Sequence, residues 1–142
     1  MLISTRGRYA LRVIIDLVEN DKGAYIPMKD VAKRQGISLK YLEQILPILT
    51  KNDIVEAVHG KGGGYRFKKD VDSCSVWEIL KLTENGLAPV SCLEDGAKAC
   101  EKVMECRTIG MWKGLDDVVR NYLQSVKIAD ITKNDYKDDY VI

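Results

Sequence analysis

Cys92, Cys100 and Cys106 stand in a C-x7-C-x5-C array, three of the chain's four cysteines within 15 residues. Thiolates are soft donors, so three on one acidic loop could hold a soft metal or an iron–sulfur cluster with one further ligand. The spacing matches neither the C-x2-C of zinc ribbons nor a ferredoxin pattern. The same residues could form a regulatory disulfide and leave one thiol free, or play no part. In a chain read as cytosolic, such clustering favours metal or redox chemistry over a structural disulfide framework. Cys74, beside Val71 and Val76, reads instead as a small buried hydrophobe.

A second group carries polar chemistry at helical spacing. Ser38 is a helix N-cap residue, and Lys40, Tyr41, Glu43 and Gln44 follow it on the first turns. Glutamine can pair with adenine, lysine with guanine or phosphate, and glutamate can accept from cytosine. A plain solvated helix face is the competing reading. The loop His59-Gly60-Lys61-Gly62-Gly63-Gly64 adds four glycines beside a histidine and a lysine. Backbone approach to a phosphate suits such a loop. The strand-then-helix setting of a nucleotide-binding loop is missing around it. His59 is the only histidine. No nucleophile has a neighbouring histidine and no carboxylate pair has a base, so an enzyme is not the expectation.

Positioning these groups requires several elements. Ser4 or Thr5 caps a first helix, with Tyr9, Leu11, Val13, Ile14, Leu17 and Val18 on its apolar face. Asn20 to Gly23 ends it. A second short helix runs from Met28 to about Gln35, with Val31 and Ala32 inward, and Gly36 and Ile37 make the turn. The third helix keeps Leu39, Leu42, Ile45, Leu46 and Leu49 on one face. Pro47 inside it predicts a kink or break near Gln44 to Leu46. Ile54 to Val58 alternates as a strand, and Tyr65 to Phe67 returns. Short helix, turn, helix and glycine-rich hairpin together read as a winged helix-turn-helix. Ser75 caps a fourth helix, Val76 to Leu82, closed by Glu84 to Gly86. From Gly110 to about Lys127, Met111, Trp112, Leu115, Val118, Val119, Tyr122, Leu123 and Val126 recur at i, i+3, i+4 and i+7. That stripe reads as core or as a dimer seam.

The fold class is mainly α (α+β). The divisions are a winged helix-turn-helix DNA-binding domain over 1–82, a cysteine-containing loop over 83–108, a dimerisation helix over 109–132 and an acidic tail over 133–142. Net charge is only +1. Its distribution is uneven: residues 1–70 carry 13 Lys+Arg against 8 Asp+Glu, the rest 9 against 13. A basic first half can meet phosphates while an acidic second half stays clear of them. No apolar run approaches a membrane span and the N-terminus lacks a signal-peptide core, so the expected location is cytoplasmic with no membrane contact.

Three sets of words in this order resemble bacterial regulators of the Rrf type, whose members include IscR, CymR and NsrR. They are Ser4-Thr5-Arg6-Gly7-Arg8-Tyr9-Ala10, then Arg34-Gln35-Gly36-Ile37-Ser38 with Tyr41-Leu42-Glu43-Gln44, then Gly60-Lys61-Gly62-Gly63-Gly64-Tyr65. Trp112, six residues after Cys106, stands where the family's long dimerisation helix begins. The resemblance covers about residues 1–132 and implies a homodimeric transcriptional regulator, a repressor on this reading, binding double-stranded DNA at a pseudo-palindromic operator. It places DNA contacts on Ser38, Lys40, Tyr41, Glu43 and Gln44, and on His59, Lys61, Gly62 and Gly63 of the wing. IscR-like members hold a [2Fe-2S] cluster in the loop where Cys92, Cys100 and Cys106 lie here.

Two departures accompany the resemblance. The first cysteine gap is longer than in IscR, and Ile109 stands where IscR has a histidine ligand, so the fourth ligand is unassigned. Glu94, Asp95, Glu101, Glu105, a residue of a partner's first helix or an exogenous ligand could supply it. The alternative is a CymR-like repressor of cysteine metabolism without a cluster, controlled by thiol oxidation or by a bound cysteine-synthesis enzyme.

Overall fold

Ser4 ends the extended N-terminal segment by accepting, on its side-chain oxygen, the backbone N–H of Gly7 at 3.0 Å. The first helix, α1 (Thr5–Glu19), follows from that cap. The structure is a computed structural model describing residues 1–132, so the acidic tail placed at 133–142 lies outside the described residues. Ala10, Val13, Ile14 and Leu17 of α1 are at most 1% exposed and form the centre of the core. Burying each of the larger ones contributes on the order of 1.5–3 kcal/mol.

Helix α2 (Met28–Gln35) stops at Gly36, whose φ of 63° is the left-handed conformation a glycine adopts without steric cost. Ile37 plugs the corner at 4% exposure. Ser38 then caps α3 (Leu39–Lys51) by accepting from Tyr41 N. For α3, a break at Pro47 and the inward placement of Leu39 both fail. The helix runs unbroken through Pro47. The carbonyl that proline cannot bond belongs to the exposed Glu43, while Ile45, Leu46 and Leu49 hold both halves in the core. Leu39, expected on the inner face, is 46% exposed because it sits on the first turn, beyond the edge of the body.

Strands β1 (Val55–Val58) and β2 (Gly64–Phe67) pair antiparallel, Val55 opposite Phe67 and Val58 opposite Gly64. A third rung joins β2 to a residue outside both strands. Ile26 and Tyr65 exchange backbone hydrogen bonds of 2.9 and 2.8 Å. Gly64, at φ 150°, allows that approach, since a Cβ there would collide with the Ile26 carbonyl.

Helix α4 (Val76–Thr83) begins at its Ser75 cap. After the loop and a single turn at Ser91–Leu93 comes α5 (Ile109–Ser125), none of whose residues is fully buried. Leu123 and the following Val126 pack on Trp77 and Leu80 of α4. The chain then returns to the body. Val76 N donates to Val126 O, and Ile128 N donates to Cys74 O, each at 2.9 Å. Helix α6 (Ile128–Thr132) sets Ile128 fully into the main core. Residues grouped with α5 on sequence grounds thus include a segment, α6, that closes the main core. Among the described residues, no helix is long and apolar enough to cross a membrane.

Candidate DNA-reading surface and cysteine loop

The start of α3 projects a polar face. Ser38, Lys40, Glu43 and Gln44 are exposed, while Leu42 and Ile45 on the other side are fully buried. Tyr41 differs from its neighbours. It is half-buried, and its ring meets Tyr9 of α1 edge-on, with centroids 5.2 Å apart at 69°. It therefore braces the helix as well as bordering the face.

Arg12 completes this brace. Its guanidinium lies 5.1 Å from the Tyr9 ring centroid and donates to the Gln35 backbone carbonyl at the end of α2. Arg12 and Arg8 are exposed cations on α1 that no helical spacing links to α3. The missing signal was spatial, since only the fold brings α1 beside the start of α3.

The wing carries His59, Lys61 and Gly62 in exposed positions at its tip. Gly63 is half-buried under the turn, donating to Gly60 O at 3.0 Å. A side chain at Gly63 would collide with the Val58 carbonyl, so its role is to let the turn close.

The cysteine loop joins α4 to α5. Cys92 and Cys100 are exposed and Cys106 is partly covered, all as free thiols. All three line one cavity of about 220 Å³, with Leu93, Val103, Ile109 and Lys113 among its walls. The Thr108 hydroxyl, 3.6 Å from Cys106 Sγ, holds that thiol below its ordinary pKa, helped by the Thr108 and Ile109 backbone. Among the described residues, no three His, Cys, Asp or Glu side chains are drawn close enough to hold a single metal ion. The cysteines therefore share a cavity without forming a one-ion site. Cys74 is apart from them at 1% exposure, with its thiol pushed up to about 11 by burial and then by Glu78.

The loop is tied to the body at several points. Asp95 lies 3.8 Å from Lys81 of α4. Arg120 of α5 stacks 4.8 Å from the Trp77 ring centroid. Beside them, Glu84 accepts from both the backbone N and the Oγ of Ser4 at 2.5 Å each, and Arg6 donates to the Thr83 carbonyl. The end of α4 is thus clasped to the start of α1.

The Rrf2 family profile, described as an iron-dependent transcriptional regulator, matches residues 3–134. The HTH-type transcriptional regulator IscR of Escherichia coli is 33% identical over 134 residues, which is 94% of this chain and 82% of IscR. Among solved structures, CymR, the global cysteine regulator of B. subtilis, is similar with a TM-score of 0.76 at 28% identity, over 93% of this chain and 96% of that one. T. potens IscR is similar with a TM-score of 0.73 at 26% identity, over 100% and 93%.

Proposed function

Because the chain belongs to the Rrf2 family of transcriptional regulators, we propose that it is a cytoplasmic homodimer that reads a pseudo-palindromic operator and senses iron–sulfur or redox status. The sensor is a [2Fe-2S] cluster held by Cys92, Cys100 and Cys106. The observation that carries this reading is the opening of all three thiols onto one cavity at the start of α5.

The donor set fits such a group. Thiolates are its ordinary ligands, Lys113 sets a cation beside their charge, and Leu93 and Val103 wall the cavity with apolar surface. Ile109 lines the same cavity and cannot ligate, so the fourth ligand comes from a loop carboxylate, a partner subunit or an exogenous group. When bound, the cluster supplies a group whose presence and charge respond to iron supply and oxidants.

The chain's own residues provide the link to DNA. Ordering the loop sets Asp95 against Lys81 and α5 against α4. The Glu84–Ser4 clasp passes that position to α1, and the Tyr9–Tyr41 contact passes it to α3. These contacts form a contiguous path between sensor and reader. A group bound by the loop cysteines would bias a two-state equilibrium along that path.

Dimerisation runs through α5. Met111, Leu115, Val118 and Tyr122 are 58, 41, 65 and 61% exposed and form one stripe at spacings of four, three and four. Leu123, on the neighbouring face, already packs on the α4 cluster. A second copy of α5 covers such a stripe with two-fold symmetry, the symmetry a pseudo-palindromic operator requires.

The test is an anaerobic absorption spectrum with iron and acid-labile sulfide assayed on the same sample. Charge-transfer bands with about two irons per chain are expected, lost in Cys106→Ala. Chelation should change operator affinity in the wild type and leave Cys106→Ala unmoved. A colourless, iron-free protein that resists reconstitution would overturn the cluster and leave sensing to the thiols.

A further inference from the structure

Leu39 is the first residue of α3 and is 46% exposed, whereas Leu42, Leu46 and Leu49 of the same helix are at most 2% exposed. Its neighbours on the exposed surface are Ser38, Lys40 and, one turn on, Glu43. The polar reading face thus carries one large apolar side chain at its leading end. Its isobutyl group can neither donate nor accept a hydrogen bond. Against the major-groove edges of the four bases it has one apolar complement, the C5 methyl of thymine.

We infer that Leu39 is a specificity-determining residue that reads a thymine methyl group in each half-site. The inference rests on the assignment of α3 as the DNA-reading helix and adds the base that its first residue selects. Four residues of helix rise about 6 Å, and base pairs repeat every 3.4 Å or so, so the thymine lies within about two base pairs of the pair that Glu43 faces. Leu39 lies outside the main core, so shortening it leaves the fold in place.

The experiment selects duplexes from a randomised pool with the full chain under anaerobic conditions. Each thymine of one selected duplex is then replaced singly by deoxyuridine, which removes only the methyl group. Wild type, Leu39→Ala and Leu39→Met are titrated on the whole series. For the wild type, one thymine per half-site should weaken binding about fourfold when replaced, the value of one buried methyl. Leu39→Ala should bind the thymine and deoxyuridine versions equally, and Leu39→Met should restore the difference. A wild type indifferent to every replacement, or a Leu39→Ala that keeps the same sensitivity, overturns the inference while DNA reading stands. A pool in which no sequence enriches is a separate result that overturns the reading helix itself, and this inference with it.

Discussion

The Asp16 carboxylate, in the middle of α1, is gripped on both oxygens by Arg34 near the end of α2. Arg34 Nη2 lies 2.7 Å from Oδ1 and Nε lies 3.0 Å from Oδ2. Gln35 Nε2 adds a third bond to Oδ2 at 2.9 Å. Asp16 is 1% exposed, so this is a charge withdrawn from water and fully compensated, with one face of the guanidinium side still reaching solvent. Donating these hydrogen bonds to Asp16 holds the Arg34 pKa above its ordinary value. The angle between α1 and α2, and with it the turn that presents α3, is set by this polar lock as well as by apolar packing.

Removing the guanidinium should therefore cost more than a surface ion pair. Arg34→Ala leaves a buried carboxylate with only Gln35, and we expect a loss of roughly 2–4 kcal/mol in urea unfolding. Arg34→Lys should recover only part of it, because an ammonium cannot grip both oxygens. A loss of about 0.5 kcal/mol or less for Arg34→Ala would show that the pair is ordinary surface electrostatics.

Cys74 gives stability a defined alkaline limit. Burial pushes its folded pKa up to about 11, above the 9.0 of a free thiol. The contribution is therefore complete below pH 9 and is lost as pH rises through 11. About two units correspond to roughly 2–3 kcal/mol. Between pH 8 and pH 11 the wild type should lose about that much more unfolding free energy than Cys74→Ala, whose own titrations otherwise match. In the native state a thiol reagent should label Cys92 and Cys100 rapidly and Cys74 only on unfolding. Prompt labelling of all four thiols would contradict the burial argument.

Local chemistry explains how much was legible beforehand. Ser4, Gly36, Ser38 and Ser75 announce helix ends through their own side chain or lack of one, and the structure uses all four that way. Periodicity located the buried faces because burial follows helical spacing. Three features escaped for one shared reason. Leu39 fits the periodic face, but its exposure depends on where the body ends. Asp16 and Arg34 are 18 positions apart, and Ser4 and Glu84 are 80 apart, so no spacing rule connects them. The break that Pro47 favours locally is absent because packing on both sides outweighs its penalty. For the cysteines, sequence showed the donor types, and only the fold shows that all three open onto one cavity.

Gln44 tests which exposed residues read bases. It is exposed on α3, one helical turn after Lys40. A glutamine paired with adenine is worth roughly 1–3 kcal/mol at one base pair and little on random sequence. Gln44→Ala should thus weaken a selected operator about tenfold or more and relax the preference at one position, with binding to random duplex nearly unchanged. Equal weakening on both would make Gln44 a phosphate contact.

The exposed stripe of α5 makes the oligomeric state a test of the proposed seam. Val118 is 65% exposed in the single chain, so Val118→Asp removes no contact that holds the monomer together. In a dimer the same position would lose a buried valine from each subunit, on the order of 1.5–3 kcal/mol apiece, and would bring two carboxylates into an apolar seam. The dimer dissociation constant should rise by about 100-fold or more, measured by sedimentation, while the monomer keeps its helical circular dichroism. Because each half-site then binds alone, affinity for a two-half-site duplex should fall toward that for a single half-site. A Val118→Asp protein that sediments as a dimer at micromolar concentration would move the seam off this stripe. The clasp between α4 and α1 would then have to transmit the sensor's state within one subunit only.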